Sequence, residues 1–238
     1  MSQPYFRFKR FTVWHDRCAQ RVGTDGVLLG AWSPLEASHR HVLDIGAGCG
    51  LVSLMAAQRL PEAQVVGVEV DPASAEQARE NVLRSPFAGR VTIVGHDIRC
   101  FSVDPNRFDH IHCNPPFHTE ATLPPDESRS KARNAAALSF ESLIRCAVRL
   151  LAPDGLFSVI IPSWSAEEFA SACFVKGLFL ARRCDVQTVV RKPPRRSLLT
   201  FSFSKCSSAL HEAMVLQDAE GGRSPEYQRL TADFYLDA

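Results

Sequence analysis

Two rhythms of apolar and polar residues run along the chain. The apolar runs HVLDI at 41–45, QVVGVEVD at 64–71, RVTIVGHDI at 90–98, FDHIHC at 108–113 and GLFSVIIP at 155–162 have the length and branched content of buried strands. Between them, LVSLMAAQRL from Leu51, PASAEQARENVLR from Pro72, LSFESLIRCAVRLL from Leu138 and SAEEFASACFVKG from Ser165 carry apolar residues at helical spacing. LFLARRCDVQTVV and RRSLLTFSFSK supply the last two predicted strands. Strands alternating with helices predict an α/β fold, with a mostly parallel sheet covered on both faces and a closing antiparallel hairpin. At the start, Phe6, Phe8 and Val13 alternate with Arg7, Lys9 and Arg10. This is either a hairpin with one packed face or an RNA-touching edge; packing is the expectation for the aromatics, and the cations stay open.

The first long strand ends in a turn with three alternating glycines, Gly46, Gly48 and Gly50. Glycine suits a turn where a ligand approaches the backbone closely, because a Cβ would obstruct it. A dinucleotide fingerprint would need its third glycine at position 51, where Leu51 stands. The D-x-G-x-G-x-G pattern from Asp44 instead resembles the first motif of class I S-adenosylmethionine (SAM) methyltransferases, whose loop passes beneath the amino-acid end of the cofactor. That resemblance implies a Rossmann-like fold and the cofactor SAM. Glu69, ending the second apolar run, stands where an acid can hydrogen-bond ribose hydroxyls. Asp97 stands where this fold commonly binds the adenine amino group, with Ile98 as an adenine-packing neighbour. Thr24 or Asp25 is expected to cap a short helix beginning near Gly26. In methyltransferases that place their closing segment before the first strand, such a helix covers the methionine end, which makes Gly23, Thr24 and Asp25 candidate contacts.

The fourth strand leads directly into Asn114-Pro115-Pro116-Phe117. An exocyclic amine conjugated with a nucleobase is a poor nucleophile, because its lone pair is delocalised. The Asn114 side-chain oxygen and a carbonyl around Pro115 can accept its two hydrogens and aim the lone pair at a methyl donor. Proline fixes the turn and brings no competing amide donor, while Phe117 offers a face for an extruded base. The tetrapeptide matches the [D/N]-P-P-[Y/F] motif shared by adenine-N6, guanine-N2 and protein glutamine-N5 methyltransferases. His110 and His112 form an H-x-H pair without two further ligands, so packed histidines are expected and no metal.

The chain has 238 residues, 45% of them hydrophobic, and these suffice for one substantial core. One domain over 1–238, with an N-terminal extension of about forty residues, is the expected organisation. The formal net charge is +1, so any polyanion would have to be met by local clusters. Arg182, Arg183, Arg191, Lys192, Arg195 and Arg196 are opposed only by Asp185 between 182 and 196, and Arg129, Lys131 and Arg133 lie in the polar segment after Phe117. Each group reads as a phosphate grip or as a solvated face, with Arg129, Lys131, Arg133, Arg191, Lys192, Arg195 and Arg196 as the RNA-binding candidates. Eight cysteines without a C-x-x-C pair are read as reduced thiols. With neither a signal-peptide core nor a membrane-length apolar run, a cytoplasmic protein is expected.

Several stretches together resemble the bacterial tRNA1(Val) adenine-N6 methyltransferase family: the F-x-F-K/R-x-F start, H-D-R-C, V-G-T-D-G-x-L-L-G-A-W, L-D-I-G-A-G-x-G-L, the N-P-P turn and the terminal Y-x-x-L-T-x-x-F-Y-L. The resemblance covers nearly the whole chain. It implies SAM-dependent methylation of the adenine next to the anticodon in valine tRNA, with that tRNA as partner and no obligate protein partner. One departure is Phe117-His118, where that family has tyrosine. N-P-P-F-H is familiar from guanine-N2 enzymes acting on ribosomal RNA, which are usually longer. A protein glutamine-N5 enzyme would normally carry an N-terminal helical domain, and an inactive RNA-binding module would commonly have lost a cofactor glycine or the asparagine.

Overall fold

The chain opens with an antiparallel hairpin, β1 (Tyr5–Arg7) and β2 (Thr12–Trp14), followed by helix α1 (Thr24–Trp32). Strand β3 (His41–Ile45), helix α2 (Leu51–Arg59), strand β4 (Gln64–Glu69), helix α3 (Pro72–Leu83), strand β5 (Val91–Gly95) and strand β6 (Phe108–Cys113) then alternate much as the apolar pattern predicts. Helix α4 (Phe140–Leu150), strand β7 (Leu151–Pro162), helix α5 (Ala166–Val175), strands β8 (Phe179–Gln187), β9 (Arg196–Ser202) and β10 (Leu210–Val215), and helix α6 (Pro225–Thr231) complete the order. The computed structural model describes residues 3–115, 138–205 and 208–236.

Strands β3 to β10 form one sheet in the order β10-β8-β9-β7-β6-β3-β4-β5. All neighbours pair in parallel except β9, which runs antiparallel to both β7 and β8. The expected hairpin is thus present as β8 and β9. Strand β10 follows it as a further edge strand beside β8; its sequence LHEAMV, half exposed, places His211 and Glu212 side by side and so lacks the alternation that would announce a strand. No helix among the described residues is long and apolar enough to cross a membrane.

Helices α1, α2 and α3 cover one face of the sheet, α4 and α5 the other. Local signals start several of them. Asp71 caps α3 by accepting from the Ser74 amide, with Pro72 at the first helical position, and Ser139 caps α4 by accepting from the Ser142 amide. Helix α1 differs from expectation: it begins at Thr24, and its N-cap is Gly23, which has no side chain to cap with. The N-terminal aromatics are packed, as expected. Phe8 lies parallel to Tyr235 at 6.0 Å, and Phe11 meets Phe87. Two of the three cations beside them are also engaged, since Lys9 Nζ donates to the Ala232 carbonyl and the Arg10 guanidinium sits over the Phe87 ring, while Arg7 is exposed.

His110 and His112 are fully buried on the α2 side of the sheet, their rings 4.4 Å apart. His110 Nε2 lies 3.1 Å from the Ser158 hydroxyl, whereas neither ring nitrogen of His112 has a hydrogen-bond partner among the described residues. Burial pushes the His112 imidazole down to about 3 and His110 well below its ordinary value. Both therefore stay neutral in the folded protein while the unfolded chain takes up protons below pH 6.5. Stability is present above that pH and is lost as pH falls. Between pH 7 and pH 5 the His112 share is about 2 kcal/mol. Urea unfolding at both pH values should show His112→Leu losing less stability on acidification than wild type by about this amount; identical losses would contradict a neutral buried His112.

Candidate active site

The strand register builds the site. Ile45 of β3 lies opposite Cys113 of β6 and Val68 of β4, so Gly46 and Asn114 leave the sheet beside Glu69, the last residue of β4, at its carboxyl edge. Ligands of open α/β sheets bind at this edge. Gly46, Gly48 and Gly50 have φ of +72°, +54° and +82°, a region that costs other L-residues roughly 1–2 kcal/mol each. A Cβ on Gly46 or Gly48 would meet nothing within 4 Å, so the turn presents bare backbone to open space. Gly50 caps α2, and a Cβ there would lie in ordinary contact with Ala78 of α3.

Two adjoining hollows open there. One, of about 220 Å³, is lined by Gly46, Gly48, Glu69, Asp97, Ile98 and Asn114; a smaller recess, of about 50 Å³, by Gly23, Gly26, Asp44 and Asn114. Glu69 is nearly buried, and its carboxylate accepts from the Gly48 amide at 2.8 Å and the Asp71 amide at 2.9 Å. It thereby ties the end of β4 to the glycine turn while still facing the hollow. The Asp97 carboxylate accepts from Arg99 Nε at 2.9 Å and from the Arg99 amide at 2.9 Å, which holds it below the usual carboxylate range. Ile98 is a buried apolar neighbour.

Asp44 is buried beneath the turn and accepts from the Ser53 hydroxyl at 2.7 Å. Desolvation raises its carboxyl to about 6. A buried acid without a cation is an unfinished arrangement, which a ligand ammonium in the adjoining recess would complete. The Asn114 carboxamide, half-buried, makes no hydrogen bond among the described residues and faces both hollows. These features fit SAM: bare glycines for its amino-acid end, Asp44 for its ammonium, Glu69 for its ribose, and Ile98 with Asp97 for its adenine.

Not every candidate converges here. Gly23 lines the recess, but Thr24 and Asp25 face a different cleft, and Asp25 accepts from Arg196 Nε at 2.8 Å. Pro115 ends the described stretch beside Asn114, while Pro116, Phe117, His118, Arg129, Lys131 and Arg133 lie outside the described residues. Arg182 pairs with Glu212 at 2.7 Å and stacks on Trp32, and Arg183 binds Asp185, so these two knit the sheet together. Arg191, Lys192 and Arg195 are exposed around the β8–β9 turn.

A row of supporting residues escaped the sequence reading. Ser74, Gln77 and Asn81 are buried along one face of α3 and hold the segment that leads into α1. The Trp14 amide donates to Asn81 Oδ1, the Arg17 amide to Gln77 Oε1, and Asn81 Nδ2 donates to the carbonyls of both Trp14 and Cys49. Asn81 therefore joins the entering segment to the glycine turn. Three polar residues at helical spacing among alanines were the available signal.

The methyltransferase small domain family matches residues 26–176. The tRNA1(Val) (adenine(37)-N6)-methyltransferase of Bacteroides fragilis (strain YCH46) is 45% identical over 99% of both chains. The protein of that name from Yersinia pestis (strain Pestoides F) is 44% identical over 97% of this chain and 93% of its own. Among solved structures, a predicted O-methyltransferase of Agrobacterium tumefaciens shares the fold, with a TM-score of 0.67 at 21% identity over 88% of this chain and 96% of its own. The sheet order, the glycine turn and likeness over almost every residue agree: the chain belongs to the tRNA1(Val) (adenine(37)-N6)-methyltransferase family, within the SAM-dependent methyltransferases of the class I, Rossmann-like fold.

Proposed function

We propose that this protein methylates the exocyclic N6 of the adenine at position 37, beside the anticodon, in valine tRNA. The observation that carries the reading is the placement of Asn114 at the end of β6, against the glycine turn and on the same hollow as Glu69. Near-full-length relatives named for this activity support the substrate. SAM supplies a methyl group on a positively charged sulfur and leaves as a neutral thioether, so the step needs no strong base or metal to activate the leaving group.

The chain's own work is alignment. Asn114 Oδ1 accepts one amine hydrogen and the Pro115 carbonyl the other, which favours a more tetrahedral nitrogen with its lone pair turned toward the donor. As the N–CH3 bond forms, the S–CH3 bond breaks and the amine's surplus proton passes to water. Phe117 provides the stacking face for the extruded adenine, worth on the order of 1–3 kcal/mol. The guanine-N2 alternative draws on Phe117-His118 alone, whereas the relatives over nearly the full length carry the adenine name.

Methyl transfer from labelled SAM to unmodified tRNA and, separately, to ribosomal RNA, with nucleoside mass spectrometry, tests the reading. N6-methyladenosine in tRNA is expected; N2-methylguanosine in ribosomal RNA would replace it. Asn114→Ala should keep SAM affinity and lose turnover by a factor on the order of 10² or more, and retained turnover would remove its role.

Asp44 gives a pH test. With its carboxyl raised to about 6, it is ionised above that pH and able to meet the cofactor ammonium, so SAM affinity should fall as pH drops through 6. Asp44→Asn should weaken binding at pH 8 and flatten this dependence. A group raised in the folded state contributes stability at low pH that is lost as pH rises through its folded value. The unliganded Asp44→Asn variant should therefore be more stable than wild type at pH 8, by up to about 3 kcal/mol. Calorimetry of SAM binding and urea unfolding check the two halves; a pH-independent affinity in wild type would contradict the assignment.

A further inference from the structure

A second cleft, of about 580 Å³, opens beside the site and plays no part in the mechanism above. Strands β8 and β10 run parallel to β3 and β6 through the sheet, so their carboxyl ends reach the same edge as Gly46 and Asn114. The first turn of α1 is the partition. Gly23 and Gly26 face the cofactor recess, Thr24 and Asp25 face the cleft.

The cleft has the chemistry of a nucleotide site. Its inner lining includes Leu28, Tyr227 and Tyr235, all buried, with the two phenol oxygens 2.9 Å apart. Around it stand Arg195, Arg196 and Arg223. The one acid in the lining, Asp25, is engaged by Arg196. Arg195 is exposed and its side chain has no ion pair among the described residues, yet its backbone is fixed, its amide donating to the Val186 carbonyl and its carbonyl accepting from the Ser163 amide. The Arg223 guanidinium lies 4.2 Å from the Tyr235 ring centre. The far wall is equally set, because the Leu216 and Gln217 amides donate to Gln187 and Thr188 and the Asp218 carboxylate accepts from the Gly222 amide. A cleft with an apolar floor, guanidiniums at its margin and preformed walls loses little on ordering around a ligand.

We propose that this cleft holds a nucleotide of the substrate RNA flanking the methylated adenosine, with phosphate against Arg195 and Arg223 and the base or sugar on the floor of Leu28, Tyr227 and Tyr235. The RNA then crosses the first turn of α1 between its two points of attachment. This rests on the reading of the protein as an RNA methyltransferase.

Anisotropy titration of a fluorescently labelled anticodon stem-loop and of full-length unmodified tRNA, over a range of salt, tests it. Arg195→Ala and Arg223→Ala should each weaken binding roughly tenfold at physiological salt and lower the slope of log K against log salt by about one. Gln217→Trp, at an exposed position on the cleft wall, should weaken binding by obstruction and leave the slope as in wild type. SAM affinity and thermal melting report whether each variant is folded. Should Arg223→Ala melt early through loss of its contact with Tyr235, Arg195→Ala alone decides whether the cleft meets phosphate. Unchanged affinity and slope in Arg195→Ala and Gln217→Trp, with wild type still forming N6-methyladenosine in tRNA, would overturn the cleft assignment and leave the activity standing. Wild type that binds neither RNA would overturn both.

Discussion

The hydrogen bond from the Gly48 amide to the Glu69 carboxylate holds the site together. A turn of three glycines with left-handed backbone has little side-chain packing of its own, and without an anchor its amides would sample many positions. The Gly46 and Ala47 amides donate to the Val68 carbonyl, and Glu69, next on the same strand, supplies the anchor for Gly48, using only part of its acceptor capacity doing so, since each carboxylate oxygen has two lone pairs. Its remaining capacity faces the hollow. A residue that helps shape the turn is thus also the one offered to the ribose, so cofactor binding and turn geometry are coupled through the Glu69 side chain.

From that bond the supports spread outward. Asn81 grips the Cys49 carbonyl on the other flank of the turn and the Trp14 backbone above it, so the segment before α1 is fixed relative to the glycines. The same hairpin is held from behind by the chain's end: Tyr235 stacks on Phe8, and the Lys9 amide donates to the Phe234 carbonyl. The terminal aromatics therefore brace the start of the protein against the sheet. Tyr235 also forms part of the floor of the second cleft, which places cofactor closure and the proposed RNA contact on one connected body of packed side chains.

Much of this was legible in the chain, and the parts that were not share a cause. The glycine turn, Glu69, Asn114 and the strands leading to them are local patterns, set by strand length and turn chemistry; FDHIHC matches β6 residue for residue. Helix α1 starts earlier than expected, so that both apparent caps, Thr24 and Asp25, lie inside it, and Asp25 is instead taken by Arg196, a partner 171 residues away that no local signal reveals. The basic run at 182–196 looked uniform but divides by its contacts, most of them distant: Glu212 and Trp32 take Arg182, Glu167 and the nearby Asp185 take Arg183, and Arg195 is left facing the cleft. Strand β10 was hidden because its apolar residues do not alternate with polar ones: His211 and Glu212 stand together ahead of Ala213, Met214 and Val215, and its pairing partner β8 is distant in sequence.

If adjacent strand ends set cofactor and acceptor amine side by side, a crystal structure of the protein with S-adenosylhomocysteine and a valine-tRNA anticodon stem-loop should show it. The ribose hydroxyls are expected on Glu69, the ammonium on Asp44, and the adenine amine between Asn114 Oδ1 and the Pro115 carbonyl, facing the sulfur. An adenine bound away from Asn114, or an Asn114 carboxamide turned from the sulfur with the base in place, would contradict it.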